Sequence, residues 1–150
     1  MSNVSIPSVT GATAPSTTLR RAWQAGLTST AVAAATNLGV LAVARLAGAD
    51  MVVQPQSTDQ AITVGAGSVV VMTVVPLLLA TLLLLPLRRW GPAAWRALAL
   101  GGLVIGVATV VMPFTVSAAA GTASGLALMH IVAGVVWFVA VRRAARPVVL

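Results

Sequence analysis

The chain has 150 residues, of which 59% are hydrophobic and only 7% charged, and two acids stand against nine arginines for a formal net charge of +7. In a soluble protein that excess would suggest nucleic-acid binding. Here the arginines border apolar runs, where anionic lipid headgroups are the nearest negative charge, so a nucleic-acid role is set aside. Cysteine is absent, which removes disulfides and thiolate metal sites.

Residues 1–19 are rich in Ser, Thr, Pro and Gly, carry no charged side chain, and read as a disordered cytoplasmic tail. Residues 20–146 read as one transmembrane domain and 147–150 as a short second tail. Four apolar stretches follow, Gln24–Val43, Val64–Leu87, Ala97–Ala119 and Leu126–Val141, against a need of about 20 helical residues to cross a bilayer. They are apolar on every face, without the alternation of a membrane β-strand, so the expected fold is all-α with four spans. Arg20 and Arg21, then Arg88, Arg89 and Arg96, then Arg142, Arg143 and Arg146 fall on one side if the number of spans is even. The positive-inside rule makes that side, and both termini, cytoplasmic in the plasma membrane. Ala47-Gly48-Ala49 resembles a signal cleavage site, but the preceding apolar run is longer than a usual signal core.

Within the first span Asn37 has an amide that a helix carbonyl cannot satisfy alone, so it should face another helix. Arg45, at the outer end of that span, breaks the arginine asymmetry. It shares the outer side with the only acids, Asp50 and Asp59, and an Arg45–Asp pair would pin the loop. Pro76 should bend the second span by releasing the carbonyl of Met72, with Thr73 placed to help satisfy it. Pro113 should do the same to Thr109 in the third. Gly102 and Gly106 form a Gly-x-x-x-Gly pair suited to close helix contact, and a small homo-oligomer is expected from such faces. Trp23, Trp90, Trp95 and Trp137 all lie toward the arginine-bearing ends, as interfacial indoles would.

His130, near the outer end of the last span, is the only side chain that titrates near neutral pH. One imidazole without cysteine is a poor metal set, and no cofactor signature is present, so neither metal nor cofactor is expected. Two arrangements fit these residues. In one, Arg45–Asp and His130–Asn37 are separate structural bonds. In the other, Asn37, Arg45, Asp59 and His130 rim one outward-facing pocket with an apolar wall at Met112 and Pro113. Such a pocket suits a lipidic or isoprenoid-like ligand, because no span carries a chain of carboxylates. The alternatives are a membrane-embedded isomerase or cyclase using His130 or Asp59 for acid–base chemistry, and an oligomeric transporter component.

The stretch Leu126-Ala127-Leu128-Met129-His130, the Met112-Pro113 step, and Asn37 followed by Arg45-Leu46-Ala47-Gly48 resemble a family of small four-helix membrane proteins from actinobacteria whose function is unassigned. The resemblance implies a four-span fold with a histidine near the outer end of the last span and a proline in the third. It implies no reaction. A serine often found shortly before that proline in such proteins has only Thr109 as a counterpart here.

Overall fold

The computed structural model describes residues 17–56 and 60–146. Helix α1 spans Leu19–Leu46. It opens at Thr18, whose extended backbone lets its hydroxyl accept the Arg21 N–H at 3.3 Å, and it ends before Gly48, which takes the left-handed φ of 89° that stops a helix without steric cost. Two short strands follow, β1 (Val52–Gln54) and β2 (Ile62–Thr63), then α2 (Ala66–Leu87). A 3-10 turn, Arg88–Trp90, leads to Gly91 at φ 74° and into α3 (Gly91–Ala108). The helix then tightens into a second 3-10 segment, Thr109–Phe114. Strand β3 (Ser117–Ala118) and α4 (Ala120–Ala144) complete the described chain.

Among the described residues, three helical stretches are long and apolar enough to cross a membrane: Leu19–Leu46, Ala66–Phe114 and Ala120–Ala144. The expectation of four separate membrane-length helices is therefore corrected to three such stretches. The second and third predicted spans merge into one stretch of 49 residues, because helical turns continue through the arginine-rich link that the sequence suggested was a loop. Arg21 Nη1 donates to the carbonyl of Arg146 at 3.2 Å, so the two ends of the described chain meet at one end of the bundle. Thr17 reaches the Arg88 carbonyl at the same end.

Side-chain pairings fix the helix directions. Gly26 faces Thr81 while Asn37 bonds Thr73, so α1 and α2 are antiparallel. Gly102 faces Trp137 while Gly106 faces Gly134, so α3 and α4 are as well. With Arg21 beside Arg146 and Ala44 beside Gly125, α4 also runs against α1. It follows that α2 and α3 run in opposite directions within their shared stretch, and they touch only sparsely.

The core divides into two apolar clusters. The one toward the arginine end includes Leu77, Leu84, Trp95, Ala99, Trp137 and Val141. The one toward the loop end includes Leu41, Met51, Val69 and Met129. Trp95 and Trp137 are fully buried here, which corrects the reading of four interfacial indoles; Trp23 and Trp90 remain exposed. Trp137 donates to the Leu98 carbonyl at 3.4 Å. Large apolar side chains such as Leu79, Val104, Ile105 and Val111 point outward, as expected of helices whose solvent is hydrocarbon.

Pro113 does not kink an α-helix, because it lies buried in the 3-10 segment where the α-helix has already ended. Gly102 and Gly106 let α3 approach α4 closely. A Cβ on Gly106 would stand 2.9 Å from both Gly134 Cα and the His130 carbonyl, so this face, one expected basis for a homo-oligomer, is covered within the chain.

Candidate functional site

At the loop end a small sheet, in the order β2-β1-β3, closes the ends of the helices. β1 pairs antiparallel with both neighbours, Val53 opposite Ile62 on one side and Ala118 on the other. Sequence reading missed this sheet, since strands of two or three residues offer no period to recognise. Before it lies Met51, fully buried and at φ 55°, a left-handed conformation that a long side chain rarely adopts. Its neighbours hold it there. Met51 N–H donates to Thr122 Oγ1 at 3.0 Å, Val64 N–H donates to the Met51 carbonyl at 2.7 Å, and the Thr122 hydroxyl donates to Asp50 Oδ1 at 2.7 Å. Val52 N–H adds a bond to the same carboxylate oxygen at 3.2 Å. The Thr122 bond first, and the Val52 bond second, hold the Asp50 carboxyl below its ordinary range. Thr122 is in the first turn of α4, so this clasp ties the α1–β1 connection to α4.

The residues expected at an outer pocket have separate partners. Asn37 is buried and its amide nitrogen donates to Thr73 Oγ1 at 3.0 Å, joining α1 to α2, while its Oδ1 has no partner among the described residues. Thr73 takes part through its oxygen, as the acceptor. Arg45 is exposed and donates to the Val64 carbonyl at 3.2 Å, bracing the start of α2. His130 is half-buried, and its Nδ1 lies 2.9 Å from Thr109 Oγ1. Thr109 also contacts the carbonyls of Ile105 at 2.8 Å and Gly106 at 3.1 Å, and its single proton cannot serve all three. When that proton goes to Ile105, the imidazole must donate from Nδ1, which leaves Nε2 as an acceptor. Met112 is exposed and Pro113 buried. Among the described residues, none of Asn37, Arg45 and His130 hydrogen-bonds another. Asp59 lies outside the described residues, so its expected role has no geometry to set beside it.

Two recesses open along the seam between α1 and α4. The one in the loop half has a volume of about 630 Å³ and is walled by Thr36, Gly39, Val40 and Val43 of α1 and by Gly121, Gly125 and Leu128 of α4, among others. It exists because the wall is built from small residues: a Cβ added at Gly39 would meet nothing within 4 Å, and one added at Gly125 would stand 3.3 Å from the Ala44 methyl. The Thr36 hydroxyl donates back to the Val32 carbonyl at 2.8 Å, so the lining is apolar in effect. The second, of about 460 Å³, lies in the arginine half and runs from Gln24 and Arg143 to Val32 and Val135. Neither was anticipated from sequence. The available signal was the four-residue spacing of small residues at Gly121 and Gly125, which marks a helix face without saying what covers it. Among the described residues, no group of three His, Asp or Glu side chains is placed to hold a metal ion.

Residues 17–147 match a family described as Family of unknown function (DUF6069). The chain belongs to that family. Its function is unassigned, and the four-helix description in the resemblance drawn above is corrected by the three membrane-length helices. Comparison with curated proteins and with solved structures gives no match. The chain is a multi-pass membrane protein of the family, with apolar helices suited to contact with lipid-like molecules.

Proposed function

We propose that this family member is a non-enzymatic plasma-membrane protein that holds a lipidic or isoprenoid-like chain in the loop-half recess between α1 and α4. The observation that carries the reading is the recess itself, apolar in lining and within the roughly 300–1,000 Å³ typical of ligand sites. A saturated or isoprenoid chain would gain about 25 cal/mol per Å² of surface only where it leaves water, so in a bilayer its preference must come from fit to the glycine-lined wall. Asn37, Arg45 and His130 enter this reading as supports of the surrounding helices, through Thr73, Val64 and Thr109.

The test is photolabelling of the full chain in nanodiscs with a lipid carrying a photoactivatable acyl chain. Labels are expected on the peptides around Gly39–Val43 and Gly121–Leu128. Gly39→Leu adds bulk to the recess wall at a position where a Cβ meets nothing within 4 Å. It should remove those labels while helix content stays unchanged. Labelling spread evenly over all exposed helix faces, or unaffected by Gly39→Leu, would count against the reading.

A further inference from the structure

The arginine-half recess has a polarity that its counterpart lacks. On α1, Gln24, Thr28 and Val32 follow one another at four-residue spacing and share one face. On α4, Arg143, Val139 and Val135 do the same in the opposite direction. Because the helices are antiparallel, both polar ends coincide at the arginine end and both apolar ends lie about 12 Å deeper, by helical rise over eight residues. The wall is thus graded from charged, through hydroxyl, to hydrocarbon. The polar groups are also unused: among the described residues, Gln24, Thr28 and Arg143 have no hydrogen-bond or ionic partner. By contrast Arg21 reaches the Arg146 carbonyl, Arg96 reaches the Pro92 carbonyl, and Arg142 lies over the Phe138 ring.

We propose that this recess seats an anionic phospholipid of the arginine-side leaflet, its phosphate held by Arg143 and Gln24 and one acyl chain laid along Val32, Val135 and Val139. A guanidinium offers paired donors that match phosphate oxygens, the Gln24 amide adds a donor, and the Thr28 hydroxyl faces the ester region below. Charge selects the headgroup. Arg21 and Arg146 meet at this end, whereas Asp50 is bound at the loop end, so a zwitterionic headgroup would bring its own cation toward arginines. The inference is independent of the loop-half reading, whose wall carries no charged side chain.

The full chain in nanodiscs of equimolar phosphatidylcholine and phosphatidylglycerol with identical acyl chains, released for native mass spectrometry, tests it. Retained lipid should be predominantly phosphatidylglycerol. Arg143→Gln should lower that preference about fivefold, matching about 1 kcal/mol for one arginine at a membrane surface. Arg96→Gln, on α3 and outside the recess, should leave it unchanged. Val135→Trp, which blocks the apolar end, should reduce retention of both lipids. Equal retention of the two lipids by the wild-type chain, or an equal fall with Arg96→Gln and Arg143→Gln, overturns the site in favour of diffuse surface charge. Undiminished retention in Val135→Trp overturns the placement of the chain.

Discussion

The closeness of α3 to α4 at Gly106 can be tested by adding one methyl group. In Gly106→Ala the new Cβ would stand 2.9 Å from Gly134 Cα and from the His130 carbonyl oxygen, both backbone atoms that no rotamer change can move aside. Reaching 3.4 Å, where ordinary contact begins, requires the helices to part by about 0.5 Å, and a gap of that size forfeits roughly a quarter of the attraction of each opposed atom pair. Overpacking of this kind costs about 1–3 kcal/mol. Alanine also helps a helix by up to about 1 kcal/mol over glycine, which would obscure the result if Gly106→Ala were compared with wild type alone. Gly101→Ala removes the ambiguity. Gly101 is on the same helix and meets nothing within 4 Å of a Cβ position, so it gains the propensity without the clash. The difference between the two variants isolates packing and should be about 1–3 kcal/mol, with Gly106→Ala the less stable. Reversible unfolding in mixed micelles, followed by the fluorescence of the buried Trp95 and Trp137, measures it. Stabilities equal to within about 0.5 kcal/mol would refute the argument that backbone contact at Gly106 sets the α3–α4 distance.

Two other bonds give further predictions. Thr122→Val leaves the buried Met51 N–H without its acceptor and should destabilise the chain by about 1–3 kcal/mol, measured in the same micelle titration. The clasp should also respond to acid: because the Asp50 carboxyl is held below its ordinary value by Thr122 and then Val52, its contribution is complete above about pH 4. It is lost as pH falls through the lowered value, and Asp50→Asn should lack this acid-dependent component of the unfolding midpoint. Thr73→Val should cost about 1 kcal/mol by stranding the Asn37 amide, since intramembrane hydrogen bonds average about 0.6 kcal/mol and an orphaned donor adds to that. The double variant Asn37→Leu/Thr73→Val should recover most of the loss in the same assay, because it removes donor and acceptor together.

What could be read from the sequence were the features that depend on composition over a turn or more. The apolar runs located helical residues, the arginine pattern located one end of the bundle, and the amide of Asn37 announced the need for a partner helix. That partner's identity, Thr73, depends on how α1 and α2 are rotated against each other, which no local spacing records. The miscount of spans has a local cause. Arg88, Arg89, Trp90, Gly91 and Pro92 look like a loop by residue type. Yet proline suits the first turn of a helix and Gly91 can take the positive φ needed to redirect the chain, so helical structure resumes with only a 3-10 turn between. Trp95 and Trp137 were misread because position along a span gives depth in the membrane and not the side toward which a ring points. Of the two carboxylates offered to Arg45, Asp50 is taken up by Thr122 and Val52 while Arg45 bonds the Val64 carbonyl, and Asp59 lies outside the described residues.

The distribution of these contacts separates the helix pairs by role. α1 is joined to α2 in its middle by Asn37–Thr73 and by the Gly26–Thr81 approach. α4 is joined to α3 by Gly102–Trp137, Gly106–Gly134 and the His130–Thr109 bond. Between α1 and α4 the polar ties lie at the two ends, Arg21 with the Arg146 carbonyl and the Asp50–Met51 segment with Thr122. The stretch between those ties is bordered by residues such as Gly39, Ser124, Gly125 and Ala140, and it is there that both recesses open. A helix pair clasped at its ends, with small side chains along the middle, keeps a groove open in a solvent of flexible chains. Stability and ligand contact therefore fall on different residues: changes at Gly106, Thr73 or Thr122 act through the fold, whereas Gly39 and Arg143 can be altered with little consequence for the helices and a direct one for what the groove holds.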